Sequence, residues 1–391
     1  MEIGLFTGGR DRPYAFGLVK ALMSEGLRLH IVGGDELDDP EIHANSNLKF
    51  MDFYGKSRAG ASHLRKALRV LVYYAQLIPY AAVAKPKIFH ILWNGKFEYF
   101  DRTLLALYYK ALGKKILLTA HNVNAGKRDS NDSLLNRLTL RIQYRLADHI
   151  FVHTEQMKGE LLHDFAVPAE NVTVIPFGIN NAVPCTDLTA ADAKQRLGLK
   201  DDDRTILFFG NIGPYKGLDQ LVAAFQSISA RHAEYRLIIA GKHRTGAESY
   251  VDQIREATSR DVKRRCIIPR IEHIPDSEVE LYFKAADVLV LPYTHVFQSG
   301  VMFLGYSFGL PVIATDVGSL RDDIVEGRTG FLCKPSDPAD LATTIEAYFE
   351  SDLFKNLGSR RQEIRNYANE RHSWDLVGER TRDVYTSLVL R

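Results

Sequence analysis

Residues 285–332 constrain the fold of this chain more than any other part of the sequence. An apolar strand at 288–292 runs into a turn of small residues at 298–300, a helix follows, and Gly309 and Pro311 lead into a second strand. Such a unit places the amino end of a helix at the carboxyl edge of a buried parallel sheet. Ligands bind at that edge of open α/β sheets, and helix N-termini favour anions. The stretch therefore predicts a site for a phosphorylated ligand.

Length and composition limit the class of protein. A chain of 391 residues exceeds one ordinary core and suits two domains of about 150–200 residues each. A formal net charge of +2 excludes a strong overall field for nucleic acid. Cys185, Cys266 and Cys333 are scattered without a CxxC pair, so we expect reduced thiols and neither a disulfide framework nor a zinc site. Because the chain enters a strand at once, we expect no signal peptide and a cytoplasmic location.

Predicted strands alternate with helical stretches in two successive series. The strands are predicted at residues 3–6, 29–32, 88–92, 115–119, 149–153 and 172–176, and then at 205–209, 236–240, 266–269, 288–291, 312–315 and 330–332. This alternation favours parallel, doubly wound sheets. We therefore predict an α/β fold with two Rossmann-like domains facing a cleft. The first covers 1–180, a polar linker covers 181–203, and the second domain covers 204–368.

Residues 209–217, FGNIGPYKG, form the second informative motif. Gly210 ends an apolar strand, and the turn after it lets the backbone approach a ligand. Lys216 is predicted to point its ammonium into the mouth of the cleft, where it neutralises a diphosphate. The alternative is an exposed lysine in an ordinary strand-to-helix turn.

The turn at Gln298 is predicted to bind the same anion. The backbone N–H groups of Ser299, Gly300 and Val301 point at the ligand, with the helix dipole behind them. The hydroxyl of Ser299 is predicted to add a donor. The alternative is that Ser299 caps the helix and bonds only to the backbone.

Histidines follow two strands of the first half. His121 and Asn122 stand at the carboxyl end of the strand at 115–119, the edge at which a ligand is expected. A purely structural role for His121 is the alternative. His149 and His153 share one face of a strand and do not form a helical metal pair, so we expect no metal there.

The segment from Lys56 to Val83 begins with basic residues and continues as an apolar run broken by Pro79. It is too short and too interrupted to span a bilayer. One interpretation is a helix packed on the sheet. The other is an interfacial element that faces anionic lipid, with Tyr73, Tyr74 and Tyr80 near the membrane surface.

Together these motifs resemble the family-4 glycosyltransferases, which have the GT-B fold. The first glycine turn at Gly8 and Gly9 is similar to that of the family, and the resemblance runs along nearly the whole chain. The other motifs that carry it are TAHN at 119–122, VIPFGIN at 174–180, the turn at 210–217, ADVLVLP at 286–292 and GLPVIAT at 309–315. Residues 369–391 resemble the last helix of the family, which crosses back to the first domain.

The resemblance implies transfer of a sugar from a nucleotide-sugar donor, with retention, without a bound metal and without a cofactor. The acceptor expected is a glycan or a polyprenyl-diphosphate-linked sugar, in polysaccharide or glycolipid synthesis. His121 and Lys216 are the predicted catalytic residues. The predicted diphosphate contacts are Gly8, Gly9, Asn211, Lys216, Ser299, Gly300 and Val301. Nucleoside or sugar contacts are assigned to Gln298, Arg270 and Ile271, and acceptor-side contacts to Arg10, Asn94 and Asn122.

The sequence departs from the family at two places. Asn211 stands where the family often has arginine, and no glutamate occurs between Glu280 and Glu326, so a Gln-Ser-Gly-Val turn replaces the paired glutamates that include the ribose ligand. Two alternatives therefore stay open: a GT-B sugar-nucleotide epimerase or phosphorylase, and a non-catalytic nucleotide-sugar-binding protein. A nicotinamide-dependent dehydrogenase is disfavoured, because no Gly-x-Gly-x-x-Gly turn follows the first strand.

Overall fold

A computed structural model describes residues 1–34, 37, 39–55, 62–128, 132–179, 183–296 and 298–390 of the chain. The chain divides into two compact units. The first contains Met1–Gly178 together with the C-terminal stretch that begins at His372, and the second contains Ile179–Arg371. The stretch for which the sequence predicts a linker clusters with the second unit, where its helix Ala190–Arg196 packs against the helix Asp276–Ala285.

The first unit is built on a seven-stranded parallel sheet. Its strands are β1 (Glu2–Phe6), β2 (Arg28–Gly33), β3 (Leu48–Asp52), β4 (Ile88–Ile91), β5 (Lys115–Thr119), β6 (His149–Val152) and β7 (Val172–Val174). They lie in the order β3-β2-β1-β4-β5-β6-β7. The direction of winding therefore reverses between β1 and β4, and the carboxyl ends of those two strands form the edge where doubly wound sheets bind ligands.

Helices cover this sheet. They are α1 (Arg12–Ser24), α2 (Pro40–Ala44), α3 (His63–Val83), α4 (Glu98–Phe100), α5 (Ala106–Ala111), α6 (Ala125–Arg128), α7 (Leu134–Leu146) and α8 (Glu155–Phe165), with a π-helical turn at Asp101–Leu105. Side chains cap several of them: Ser62 accepts from Arg65 N–H at α3, and Thr154 accepts from Met157 N–H at α8. Such caps satisfy amide groups that have no partner inside the helix.

The second unit has a six-stranded parallel sheet in the order β10-β9-β8-β11-β12-β13. Its strands are β8 (Arg204–Phe209), β9 (Tyr235–Ala240), β10 (Ile267–Arg270), β11 (Val288–Leu291), β12 (Val312–Thr315) and β13 (Gly330–Cys333). Its helices are α9 (Ala190–Arg196), α10 (Leu218–Ser229), α11 (Glu248–Lys263), α12 (Asp276–Ala285), α13 (Gly300–Ser307), α14 (Pro338–Glu350), α15 (Asp352–Lys355) and α16 (Leu357–His372). Winding reverses between β8 and β11.

The last helix, α17 (Trp374–Leu390), packs on α1 in the first unit. Its Val377, Tyr385 and Leu388 are buried in the core that α1 forms with the sheet. The predicted α/β class, with two parallel sheets and helices on them, is confirmed. The sequence prediction missed β3, in which Lys49 and Asp52 interrupt the apolar pattern at the edge of the sheet.

Candidate active site

The glycine turn of the second unit lies where the winding of its sheet reverses. The turn follows β8, and Pro292 follows the neighbouring strand β11. Gly217 has φ +62°, and a Cβ atom there would lie 1.9 Å from the carbonyl oxygen of Pro292. Only glycine therefore lets the 3₁₀ turn Pro214–Lys216 pack against the end of β11.

Lys216 is buried in this turn, with a relative exposure of 8%. Its Nζ donates to the hydroxyl of Tyr293 at 2.5 Å and lies 4.0 Å from the centre of the Tyr293 ring. The exposed-lysine alternative is wrong, whereas the prediction that the ammonium points into the mouth of the cleft stays a prediction. Tyr293, the second residue after β11, contacts the ammonium.

The contact continues to the start of α13. The hydroxyl of Tyr293 lies 3.2 Å from Oγ of Ser299, and burial raises the pKa of Tyr293 above its usual value, so the phenol stays protonated. When Lys216 donates to Tyr293 and Tyr293 donates to Ser299, the hydroxyl hydrogen of Ser299 is left for another acceptor. Ser299 makes no side-chain cap, so the capping alternative is wrong.

The amide groups of Ser299, Gly300 and Val301 begin α13, where unpaired N–H groups and the helix dipole favour an anion. Beside them, Nε2 of Gln298 donates to Asp323 at 3.4 Å. The Oε1 atom of Gln298 is buried and has no hydrogen-bond partner among the described residues.

The other predicted residues of the second unit lie along the same edge of the sheet. Asn211 is exposed, two positions after β8 ends at Phe209. Arg270 ends β10 and Ile271 follows it; β10 is the edge strand, two positions from β8 in the sheet. The structure therefore groups Lys216 with the start of α13 and leaves Arg270 and Ile271 apart from them.

In the first unit, the turn after β1 packs against the turn after β4. Gly8 has φ +67°, and a Cβ atom there would lie 2.6 Å from Cβ of Trp93. A side chain at position 8 is therefore excluded by the close approach of the two strand ends. Gly9 continues the turn beside Tyr54. The two glycines lie where winding reverses, as the sequence predicts for a ligand-binding edge.

A cavity of about 200 Å³ opens at this edge and contains four predicted residues together: Arg10, Asn94, His121 and Asn122. Further polar residues line it, among them Glu98, Arg102 and Gln143. Glu98 pairs with Arg10 at 3.2 Å and with Arg102 at 2.8 Å, and Gln143 exchanges hydrogen bonds with Asn94. Arg102 is buried, and its Nε has no partner among the described residues. Amides and charged groups around an aromatic wall suit a polyhydroxylated ligand.

His121 occupies an aromatic pocket in the wall of this cavity. Its ring stacks on Trp93 with centres 4.2 Å apart and meets the edge of Tyr14 at 4.5 Å. Desolvation, and then the neighbouring His153 and His90, hold the pKa of His121 well below its usual value. The imidazole is therefore neutral at physiological pH.

The contact between His153 and His121 determines which ring nitrogen of His121 carries the proton. Nδ1 of His153 lies 3.3 Å from the carbonyl oxygen of Ile175, which only accepts, so His153 carries its proton on Nδ1. Burial lowers the pKa of His153 to about 4, which leaves its Nε2 as an acceptor. That atom lies 3.1 Å from Nδ1 of His121, so His121 donates there and its own Nε2 is an unprotonated acceptor. Among the described residues this Nε2 has no partner.

Sequence reasoning did not single out Trp93, Arg102, Gln143 and Tyr293. Trp93 and Tyr293 each stand just past a predicted strand, so the rule that strand ends form the site identifies both. Arg102 and Gln143 lie on helices and gave no such signal. Within the described ranges, no group of three or more histidine, cysteine, aspartate or glutamate side chains is arranged to hold a metal ion.

Comparisons with known proteins agree with this architecture. The family model described as glycosyl transferases group 1 matches residues 190–371, and the model described as glycosyltransferase family 4 matches residues 13–183. A D-inositol 3-phosphate glycosyltransferase of Thermobispora bispora is 30% identical over 254 residues, which are 63% of this chain and 57% of that protein. The chain thus matches little more than half the length of this relative.

Solved structures share the fold. Sucrose-phosphate synthase from Thermosynechococcus elongatus has a TM-score of 0.78 at 18% identity, over 100% of this chain and 99% of that one. Anabaena Alr3699/HepE in complex with UDP-glucose has a TM-score of 0.76 at 15% identity, over 99% and 100%.

The predicted GT-B class is thereby confirmed, and so is the predicted family. With two parallel α/β units and both halves matched by family models, the chain belongs to the family-4 glycosyltransferases.

Proposed function

We propose that this chain transfers a sugar from a nucleoside-diphosphate sugar to a glycan or polyprenyl-diphosphate-linked acceptor, in polysaccharide or glycolipid synthesis. The observation that carries the proposal is the buried series of contacts from Lys216 through Tyr293 to Ser299 at the start of α13. It sets a cation, a hydroxyl and unpaired amides at the edge where such sheets bind ligands.

In the second unit these groups act on the leaving group. As the glycosidic bond breaks, negative charge develops on the nucleoside diphosphate, and fixed positive charge and N–H dipoles stabilise it. Lys216 supplies the charge, and Ser299, Gly300 and Val301 supply the amides. Because Tyr293 fixes the ammonium, little reorganisation is needed during the reaction.

In the first unit, the cavity around Arg10, Asn94 and Asn122 binds the acceptor. His121 offers a neutral, unprotonated Nε2, which accepts a hydrogen bond from a sugar hydroxyl and positions the sugar as the oxocarbenium-like transition state forms. We propose retention of configuration, with a phosphate oxygen of the donor taking the proton of the acceptor hydroxyl. No metal is assigned a role, since Lys216 and α13 supply the positive field.

Other features support a nucleotide-sugar donor. Solved neighbours in this fold include complexes with UDP and UDP-glucose. In place of the missing glutamates, we propose that the ribose hydroxyls donate to Oε1 of Gln298, a buried acceptor without a partner among the described residues. We further propose a cytoplasmic enzyme that attaches to the membrane surface through the segment that ends at Val83. Residues 56–61 of that segment lie outside the described residues.

A thermal-shift screen of UDP-, GDP-, ADP- and dTDP-sugars tests donor binding, because a ligand that binds only the folded state raises the melting temperature. We expect one nucleotide to stabilise the chain. Turnover with that donor and lipid-linked acceptors should release the nucleoside diphosphate, and Lys216→Ala should lower the rate about a hundredfold or more. The matched control is Lys355→Ala, which removes an exposed lysine from α15.

Other outcomes separate the alternatives. Isomerised donor without release of nucleoside diphosphate indicates an epimerase, and turnover that requires inorganic phosphate indicates a phosphorylase. Binding without turnover indicates a nucleotide-sugar-binding protein. Stabilisation by none of the four donors would sink the proposal.

A further inference from the structure

The first unit exposes large apolar side chains along three neighbouring helical segments. Of the 17 exposed large hydrophobic residues among those described, 13 lie on α3, on residues 97–107 and on α7, and only Val325 lies in the second unit. Leu64, Leu104 and Leu134 have relative exposures of 80%, 64% and 87%. Clusters of this kind on a folded protein mark an interaction surface, whereas scattered apolar residues do not.

The exposed residues of α3 form a continuous stripe. Leu64, Leu68, Leu71 and Ile78 are spaced at helical intervals on one side, while Tyr73, Tyr74 and Leu77 are buried on the other. The helix runs through Pro79 without ending. The prediction that the tyrosines of this segment lie near the membrane surface is therefore partly wrong. Tyr73 and Tyr74 are buried, and the exposed side of the helix consists of leucines and an isoleucine.

Side-chain contacts join the three segments into one surface. The ring of Tyr74 stacks on Phe97 with centres 5.4 Å apart, and the hydroxyl of Tyr108 donates to the carbonyl of Ile78 at 3.0 Å. On the other side, α7 contacts α5 and the π-helical turn. We call this surface, made of α3, residues 97–111 and α7, the outer helical face.

Its two long helices carry charge of one sign, whereas residues 97–111 contain both acidic and basic residues. α3 carries Arg65, Lys66 and Arg69, α7 carries three more arginines at positions 137, 141 and 145, and neither helix contains an acidic residue. These six basic residues exceed the net charge of +2 of the whole chain, so the remainder is net negative. Leucines interleaved with arginine and lysine are typical of helices that lie in a membrane interface.

We propose that the outer helical face docks on an anionic lipid bilayer. A second copy of the chain is a poorer fit, because a twofold interface pairs a patch with itself and brings its basic residues together. No helix in the described ranges is long and apolar enough to cross a bilayer. The inference rests on the proposed function only in that a lipid-linked acceptor lies at the same surface; vesicle binding itself needs no donor.

The face and the acceptor cavity are built by one turn. The hydroxyl of Tyr74 donates to Asp101 at 2.8 Å, and Asp101 accepts from Gly95 N–H at 2.6 Å. In the next residues, Phe97 is exposed on the face and Glu98 lines the cavity. Docking of this face therefore places the bilayer next to Phe97, and the following residue, Glu98, lines the cavity. This arrangement suits an acceptor that is carried on a lipid.

Co-sedimentation with vesicles tests the proposal, using phosphatidylcholine alone and phosphatidylcholine with one third phosphatidylglycerol at low and high salt. We expect binding to the anionic vesicles at low salt, at least tenfold weaker binding to the neutral ones, and loss at high salt. Each basic residue at an anionic leaflet contributes about fivefold, so replacing Arg65, Arg141 and Arg145 by serine should lower partitioning about a hundredfold. The charge-matched control replaces Arg255, Arg260 and Lys263, three exposed basic residues of α11, by serine and should bind normally.

A second pair of variants tests whether the face extends beyond α3. Leu134→Gln with Leu138→Gln on α7 should weaken vesicle binding at least tenfold, while Leu390→Gln, which changes an equally exposed leucine elsewhere, should not. Normal binding of the α7 variant, or equal binding of the parent to neutral and anionic vesicles, overturns the proposal. A dimer in sedimentation velocity that the α7 variant converts to monomer also overturns it, in favour of a second copy.

Donor-induced thermal shifts, measured on the same variants, should be unchanged. Vesicle binding without any donor shift would contradict the proposed function and leave the docking face intact. A donor-induced shift without vesicle binding would contradict the docking proposal and leave the proposed function intact.

Discussion

Nε2 of His153 lies 3.1 Å from Nδ1 of His121, and this contact decides which nitrogen of His121 is the unprotonated acceptor. His153 is itself oriented by the carbonyl of Ile175. A backbone oxygen just past the end of β7 thus sets the protonation of a side chain just past the end of β5, through a histidine that follows β6, the strand between them.

The tautomer can be observed directly. Nitrogen-15 spectra of the histidine rings should show His121 neutral, with its proton on Nδ1, at pH 7 and still at pH 5.5, because burial and two neighbouring imidazoles depress its pKa. An imidazolium at His121 at pH 5.5 would contradict the assignment.

Acid should destabilise the first unit through His153. The unfolded chain takes up a proton near pH 6.5 and the folded chain only near 4, so this stabilising contribution is complete above pH 6.5 and is lost as the pH falls towards 4. The loss is about 3 kcal/mol across that interval. His153→Asn, which keeps a donor for Ile175, should show a smaller difference in unfolding free energy between pH 7 and pH 4.5. Tryptophan fluorescence reports this unit alone, since Trp93 and Trp374 both belong to it.

Tyr293→Phe should show how much of the effect of Lys216 on turnover depends on the position of its ammonium and how much on its charge. The substitution keeps the ring under Lys216 and removes the hydroxyl that links it to Ser299, so we expect turnover to fall about tenfold, as for one hydrogen bond of about 1.4 kcal/mol. Lys216→Ala should cost more. Steady-state kinetics with saturating donor measure both, and equal losses in the two variants would mean that the ammonium acts only through the tyrosine.

Gly217→Ala should destabilise the second unit strongly. The alanine adds a methyl group 1.9 Å from the carbonyl of Pro292 at a φ of +62°, so the turn has to move, at a cost of about 3 kcal/mol or more. Gly198→Ala is the matched control: it has φ +72° with nothing within 4 Å of the added carbon, and should cost only about 1 kcal/mol. Calorimetry of the two variants compares them, and similar melting temperatures would refute the close approach.

Tyr385→Phe should weaken the packing of α17 on the first unit and lower the free energy of unfolding. The hydroxyl of Tyr385 lies 2.6 Å from Nδ1 of the fully buried His90, whose other nitrogen meets Thr119 at 2.7 Å. Leaving that nitrogen without its partner should cost about 1–3 kcal/mol in denaturant unfolding. Tyr108→Phe, which removes an exposed hydroxyl contact, should change stability by less than about 0.5 kcal/mol. If both variants lose the same free energy of unfolding, the buried hydrogen bond of Tyr385 contributes no more to stability than the exposed one of Tyr108.

Local pattern was sufficient for much of the architecture. Apolar strands such as 288–291 and 312–315 have the bounds predicted for them, because a strand buried on both faces is a continuous run of apolar residues. β3 was missed for the converse reason: at the edge of the sheet it keeps Lys49 and Asp52 partly in solvent. Strand ends also placed the glycine turn at Gly8 and the side chain of His121 at the carboxyl edge of the sheet before any contact was known.

The sequence by itself determined the two parallel α/β units, the family, and which strand ends carry the candidate site, since these follow from apolar runs and from residues adjacent in the chain. Tertiary structure alone decided that Lys216 is buried against Tyr293, that His121 is a neutral acceptor, and that the leucines of α3 and α7 share a surface. Those properties depend on partners that are distant in the chain and on desolvation, and a charge or a proton responds to what surrounds it in space. Position in the sequence fixes neither.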